Sequence, residues 1–260
     1  MSNRLRLAIQ PQPDDTTCGP TCLHAVYSFF GDQLALTELI KQIKQLDDGG
    51  TYSAVLGTHA LKRGYQCDIY SWNLQVFDPT WFQLSSEDML GRLRQRRRIK
   101  TQHKLLSAID AYIEFLAAGG TVHFEDLTTA LLRKYLTKGV PIVAGLSSTY
   151  LYRCMREHGP KLEDDDIRGD PQGHFVVLCG YDRENRTVLV ADPMHPNPAF
   201  QGLTYVVEID RLVCSILLGI LTHDADMLVI KPEGHRHDSV DRAPEEHSAG
   251  PAAGGTPWRS

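Results

Sequence analysis

The hydrophobic pattern of this chain changes about half-way along its length. Up to about residue 136, apolar residues recur at helical spacing in successive segments, several of which end at glycines such as Gly31, Gly64 and Gly119. Beyond residue 140, short apolar runs bounded by turn residues predict strands, above all at 174–181 and 187–191. Helices followed by strands predict an α+β fold, in which an N-terminal helical part packs on a C-terminal antiparallel β-sheet.

Length and composition set the extent of the folded part. The chain has 260 residues and is 42% hydrophobic, which is enough for one large domain with a substantial core. We expect one domain over residues 1–231, with a helical insertion at about 85–124. From residue 232 to residue 260 the composition shifts to Gly, Pro, Ala, His and charged residues, which predicts a disordered tail.

Charge and cysteine content exclude several classes of protein. A formal net charge of -5 argues against general binding of nucleic acid. The six cysteines are too scattered for a disulfide scaffold, and no apolar run has the length of a signal peptide or a membrane span. These features predict a cytoplasmic protein with reduced thiols and no membrane contact.

Cys18 is the best candidate for a nucleophile. It precedes Gly19 and Pro20, and proline fits the first turn of a helix, so Cys18 is predicted to lie at a helix N-terminus. The unpaired N–H groups there favour the reactive thiolate form. Gln12 lies six positions earlier, and its side-chain amide with the N–H of Cys18 could stabilise an oxyanion, at roughly 3 kcal/mol per donor.

His174 is the predicted base for Cys18. It follows a glycine and begins a buried strand, which would hold the imidazole rigidly while its ring reaches a cleft. Asp192 follows the next strand in an Asp-Pro pair, and two neighbouring antiparallel strands can bring it beside His174. There a carboxylate would orient the ring and stabilise its charged form.

The order of these motifs resembles the peptidase C39-like branch of the papain-like cysteine peptidases. The resemblance rests on Gln12, Cys18-Gly19, the strand 174–177 with Gly180-Tyr181, and Asp192-Pro193; the segment 57–65 also looks like the family's helix before its first β element. It implies a papain-like fold and cleavage of peptide bonds by a thiol, without a cofactor. The best-known relatives cut leader peptides after a double glycine and are fused to transporters.

Other thiols and imidazoles are weaker candidates. Cys22 lies one turn beyond Cys18 and is expected to be a packed side chain rather than a redox partner or metal ligand. His158 is the rival to His174, and His59 is expected to pack more readily than to line a cleft. The histidines of the tail, His235, His237 and His247, could bind metal adventitiously, and we predict no dedicated metal site.

Two charged runs have alternative interpretations. The basic run 92–100 is typical of a solvated helix face, but it could dock an acidic peptide or protein partner. The acidic run 163–166 lies shortly before His174, and it could be either a solvated loop or a lid that sets specificity at the cleft.

The residues therefore predict a cysteine peptidase that acts on a peptide or protein substrate through a Cys18 thioester. An acyl transferase or transpeptidase would use the same Cys18, His174 and Asp192, with an amine in place of water. A non-catalytic peptide-binding module of the same fold is the third hypothesis, and it is weakened because all members of the set are present.

Overall fold

The computed structural model describes residues 2–46, 49–159 and 161–232, which form eight α-helices and ten strands. The helices are α1 Cys18–Phe29, α2 Leu36–Gln42, α3 Ser53–Lys62, α4 Ser86–Ile99, α5 His103–Ala117, α6 Thr129–Leu136, α7 Ser148–Tyr152 and α8 Ile209–Leu218. The strands are β1 Ser2–Arg4, β2 Tyr65–Ser71, β3 Thr121–His123, β4 Ile142–Ser147, β5 Glu157–His158, β6 Glu163–Asp164, β7 Gly173–Asp182, β8 Thr187–Ala191, β9 Thr204–Glu208 and β10 Asp226–Pro232. Short 3-10 helices cover Pro79–Gln83 and Gly219–Thr222. The predicted tail lies outside the described residues apart from Pro232, which ends β10.

Eight of the strands form one sheet in the order β3-β2-β10-β4-β7-β8-β9, with β1 paired to the far end of β7. Neighbours in this sheet are antiparallel except β2 and β3. Strands β5 and β6 make a separate two-stranded ladder. The predicted α+β fold is confirmed, with the helix that carries Cys18 packed on an antiparallel-dominated sheet.

Helices cover both faces of the sheet, which the sequence pattern did not predict. Along β7, Phe175, Val177 and Cys179 belong to the core cluster that contains residues of α1, α3, α4 and α5, whereas Val176 and Leu178 belong to the cluster that contains residues of α6, α7 and α8. Every residue from 174 to 181 is therefore buried. A strand covered on both faces reads as a continuous apolar run. This double burial fixes the backbone that carries His174.

The predicted insertion is joined to the core rather than set apart from it. Leu93 of α4 and Ile109 and Phe115 of α5 are fully buried in the same cluster as α1 and α3. A Cβ at Gly57 would lie 2.6 Å from Phe115 Cε2, so the glycine permits the close approach of α3 and α5. The helical prediction for this region is confirmed, and its status as an insertion stays a prediction.

Some local predictions were wrong. The hydrophobic pattern of 124–136 predicts a helix that begins at residue 124 with an acidic cap. Helix α6 instead starts at Thr129, because Thr128 is extended and its hydroxyl accepts a hydrogen bond from Leu131 N at 3.3 Å. The cap is therefore this threonine and not an acidic residue. The helical spacing of Cys22, Val26, Phe29 and Phe30 predicts a buried stripe on α1. Cys22 and Val26 are buried, whereas Phe29 and Phe30 are half-buried and Leu23 and Tyr27 are buried in their place. Helix α7 and the strands β1, β3, β5 and β6 were not predicted. No helix of the described residues is long and apolar enough to cross a membrane.

Candidate active site

Cys18 is the first residue of α1, as predicted, and opens onto a cavity of about 350 Å³. Its side chain is buried apart from 8% of its surface. The first hydrogen bond at the start of α1 joins Thr21 N to Thr17 O at 3.0 Å. The N–H of Cys18 lies before this bond, among the N–H groups that have no partner within the helix. A Cβ at Gly19 would lie 2.7 Å from Thr51 Cγ2, so this glycine lets the turn pack closely on residue 51.

His174 and Asp192 are in direct contact. His174 is the second residue of β7, and Asp192 directly follows β8, the antiparallel neighbour of that strand. Nε2 of His174 lies 2.8 Å from Oδ1 of Asp192, and the two side chains are 2% and 0% exposed. Because Asp192 occupies Nε2, the other ring nitrogen, Nδ1, is left for the thiol of Cys18. His174 lines the same cavity as Cys18.

The electrostatics favour a charged pair. Burial alone would lower the pKa of His174, but the charge of Asp192, its hydrogen bond and a hydrogen bond with Cys18 outweigh burial and raise that pKa to about 10. Burial would raise the pKa of Asp192, and the charge and hydrogen bond of His174, with bonds from Tyr205 and the Met194 N–H, hold it below its usual value. At neutral pH the pair is therefore an imidazolium and a carboxylate.

Gln12 is tied to the segment that carries Asp192. Its backbone N–H donates to the Pro193 carbonyl at 2.8 Å, and its side-chain Nε2 donates to the Asp14 carbonyl at 2.9 Å. Its buried Oε1 has no hydrogen-bond partner among the described residues. Gln12 is not one of the described residues that line the cavity around Cys18. Its role as an oxyanion donor stays a prediction.

The cavity is lined by several separate parts of the chain. Leu46, Thr51 and Tyr52 lie between α2 and α3, and Thr222 and Asp224 lie between α8 and β10. A further part is the segment between α7 and β7, where the lining residues are Glu157, Gly159, Leu162, Asp170, Pro171 and Gln172. This segment therefore borders the cleft.

The acidic run 163–166 itself has another role. Glu163 and Asp164 form β6, and the Asp165 carboxylate accepts hydrogen bonds from the N–H groups of Ile167 and Arg168. The run is mostly exposed and does not contribute to the described lining of the cavity. It shapes the loop, while its neighbours contact the cleft.

The rival residues lie elsewhere. Cys22 is fully buried, and its Sγ donates to the Phe175 carbonyl at 3.2 Å, as expected for a packed thiol. His59 bonds to Tyr27 Oη and Gln42 Oε1, both at 2.9 Å. His158 is exposed on β5 and is not among the described residues that line the cavity.

Three further residues hold Asp192 and were not found from the sequence. Tyr152 Oη, at 2.7 Å, and Asn197 Nδ2, at 3.1 Å, donate to Asp192 Oδ2, and Tyr205 Oη donates to the same oxygen. The one available signal was the alternation Tyr205, Val206, Val207, which places Tyr205 on the buried face of β9. That signal predicts burial but no contact with Asp192.

Asp224 is a buried acid that lines the cavity. A Cβ at Gly173 would collide with its carboxylate, which therefore packs against the backbone just before His174. Burial, with the charge of Asp226, raises the pKa of Asp224 to about 8, although Thr222, His174 and Lys104 act in the opposite direction. Asp224 is thus mostly protonated at neutral pH.

We expect Asp224→Asn to reduce the loss of stability with rising pH. In the unfolded chain an aspartate ionises near pH 4, whereas folded Asp224 keeps its proton up to about pH 8. The contribution of Asp224 to the free energy of unfolding is complete below pH 4 and is lost as the pH rises to 8. The free energy of unfolding falls by at most about 1.4 kcal/mol for each pH unit in this range. Urea unfolding at pH 5 and pH 8 measures this difference.

The exposed Asp166→Asn variant is the matched control, and it should lose stability between pH 5 and pH 8 as the wild type does. Equal losses in the wild type and Asp224→Asn would contradict the assignment of a buried, protonated Asp224.

Comparison with known proteins gives one family match. A sequence model of the Peptidase_C39 like family matches residues 86–205, a range that contains His174 and Asp192 but not Gln12 or Cys18. No curated protein sequence matches the chain.

Several solved structures are similar in fold at low identity. A putative C39-like peptidase from Bacillus anthracis is 14% identical, with a TM-score of 0.47, and the match covers 88% of this chain and 97% of that one. A double glycine motif protease from an AMS/PCAT transporter is 11% identical, with a TM-score of 0.43 and coverage of 88% and 94%. The cysteine protease xylellain from Xylella fastidiosa is 14% identical, with a TM-score of 0.41 and coverage of 89% and 85%. The match over residues 86–205 confirms that this chain resembles the peptidase C39-like family.

Proposed function

We propose that this chain is a thiol-dependent peptidase that cleaves a peptide or amide bond through a thioester on Cys18. The observation that carries the proposal is the meeting of a helix-terminal cysteine with a buried His174–Asp192 pair at one cavity. A cysteine that is buried for packing alone has no need of a charged, carboxylate-bound imidazole. The family match supports the same class of enzyme.

The first half of the reaction forms the thioester. His174 holds the proton of the thiol, and Cys18 Sγ attacks the carbonyl carbon of the substrate. The negative charge moves to the carbonyl oxygen, where the Cys18 N–H and the Gln12 amide are the proposed donors. His174 then gives its proton to the leaving amine as the carbon–nitrogen bond breaks.

The second half of the reaction releases the acyl group. His174, now neutral, takes a proton from water as the water oxygen attacks the thioester carbon, and Cys18 leaves as a thiolate. Asp192 stays ionised throughout, because its role is to orient and stabilise the imidazolium.

Acyl transfer is the alternative for the same site. An amine in place of water would release a new amide, and the residues around Cys18 serve both reactions. A peptide-binding module without activity is less well supported, since such a module has no use for the charged pair.

Product analysis tests the proposal. The chain and its Cys18→Ala variant are incubated with a mixture of synthetic peptides, with and without glycinamide, and new termini are identified by mass spectrometry. New carboxyl termini formed by the wild type alone support hydrolysis, and glycinamide adducts support transfer. Identical peptide patterns with the two proteins would contradict both.

The basic run 92–100 stays a candidate surface for an acidic partner. Two of its side chains already have partners, since Arg96 donates to the Gln75 carbonyl and Arg97 pairs with Asp110. Such a partner, and a cytoplasmic location, are proposals that the site around Cys18 does not depend on.

A further inference from the structure

The oxygen of Asp192 that faces away from His174 is surrounded by hydrogen-bond donors. Oδ1 accepts from His174 Nε2 and from the Met194 N–H at 2.9 Å. Oδ2 accepts from Tyr152, Tyr205 and Asn197. The carboxylate is 0% exposed, so these five donors take the place of water.

Such a shell favours the ionised form. A carboxylate is an acceptor only, and its nitrogen partners, on His174, Met194 and Asn197, each donate an N–H to it. A protonated carboxyl would place a donor among these donors, and it would lose several charge-assisted bonds at once. Burial of an unpaired carboxylate is costly, so the shell decides whether Asp192 can stay charged in the core.

The two tyrosines come from separate elements and are themselves fixed. Tyr152 ends α7 and Tyr205 lies on β9, with exposures of 6% and 8%. The Phe200 ring stacks on Tyr205, with centroids 3.8 Å apart, and meets Tyr152 edge-on at 6.3 Å. Burial, with the charge of Asp192, raises the pKa of both hydroxyls far above its ordinary value, so both stay protonated up to pH 9.

We propose that Tyr152 and Tyr205 are positioning residues that keep Asp192 ionised and aimed at His174. The inference rests on the proposed function, because it concerns the same Cys18–His174–Asp192 set. Neither tyrosine is among the described residues that line the cavity, so their effect on Cys18 passes through Asp192 and His174.

Loss of the Tyr152 or the Tyr205 hydroxyl should change the pH dependence of Cys18 reactivity. With one donor fewer at Oδ2, Asp192 takes up a proton at higher pH than in the wild type, and a neutral Asp192 no longer stabilises the imidazolium beside Cys18. The other titratable groups near Asp192 are His174 on β7, Cys22 on α1 and the remaining tyrosine. Cys22 is buried with a raised pKa and stays a neutral thiol, so the reactivity of Cys18 should follow the Asp192–His174 pair.

The experiment is the rate of alkylation of Cys18 by iodoacetamide between about pH 3 and pH 9, read by mass spectrometry of its peptide. It needs no peptide substrate, and the exposed Cys214 of the same molecule is an internal reference. In the wild type the alkylation rate of Cys18 should fall at low pH, and we call this fall the acid limb of the rate–pH profile. We expect Tyr152→Phe and Tyr205→Phe each to move the acid limb upward by about one pH unit, as for loss of a hydrogen bond to a charged group. At a pH within the acid limb of the wild type, each variant should therefore be alkylated at Cys18 about tenfold more slowly than the wild type.

Tyr70→Phe is the matched control. The Tyr70 hydroxyl is also buried and bonds to Tyr135 Oη at 2.6 Å, but it does not contact Asp192. The acid limb of the Cys18 alkylation profile in Tyr70→Phe should therefore stay at the wild-type pH. If one tyrosine variant fails to fold, as judged by circular dichroism, the other variant carries the test alone.

The outcomes separate the two proposals. If the acid limb of folded Tyr152→Phe and Tyr205→Phe stays at the wild-type pH, or if their Cys18 alkylation rate falls equally at every pH, the inference is overturned and the role of the tyrosines is structural. An alkylation rate at Cys18 that is unaffected by His174→Ala overturns the proposed function as well.

Discussion

Cys18→Ala should abolish cleavage, with turnover lower than that of the wild type by at least about 10⁴-fold. The variant keeps the helix N-terminus and the His174–Asp192 pair, so it loses the nucleophile without losing the cavity. Substrate binding should therefore persist, and peptides that the wild type cleaves should be retained intact on the variant. The measurement is the rate of product formation under single-turnover conditions.

Cys22→Ala is the matched control for Cys18→Ala. Cys22 lies one turn further along α1 and is fully buried, and its loss removes the bond to the Phe175 carbonyl. We expect a modest loss of stability, on the order of 1 kcal/mol, and near wild-type turnover. Equal loss of turnover in the two variants would show that the helix, and not the thiol of Cys18, is what matters.

His174→Ala should lower turnover by a similar factor, because the thiol then has no base and the leaving amine has no acid. The substitution also leaves the buried Asp192 carboxylate without its main partner, and loss of one partner of a buried pair costs about 3–5 kcal/mol. Turnover and the free energy of unfolding should therefore fall together.

His174→Gln separates these two effects. Its amide can donate an N–H toward Asp192, but it cannot take up a proton, so stability should recover in part while turnover stays low. Recovery of turnover with glutamine would contradict the role of His174 as a base.

The sequence predicted those parts of the site that have a local signature. Cys18 was readable because Cys-Gly-Pro marks a helix start, and His174 because an unbroken apolar run marks a strand buried on both faces. Asp192 followed from the antiparallel pairing of that strand with the next one. In each case a few neighbouring residues carry the information.

The residues that were missed have no such signature. Tyr152 is in a short helix after β4, and Tyr205 is on the strand beyond β8, so their meeting at Asp192 depends on the order of strands in the sheet. Asp224 lines the cavity because the chain turns after α8 to enter β10. Spacing along one sequence does not encode such contacts. Residues 124–128 have a helical pattern but lie outside α6, because Thr128 is extended and caps that helix.

In the proposed mechanism His174 activates Cys18, and the most direct test is alkylation by iodoacetamide at pH 6. An ordinary thiol, with a pKa near 8.5, is almost fully protonated at that pH and reacts slowly. The exposed Cys214 is the reference thiol in the same molecule. We predict that Cys18 reacts at least about tenfold faster than Cys214, and that His174→Ala removes the difference. Equal rates at the two cysteines in the wild type, unchanged by His174→Ala, would contradict the account.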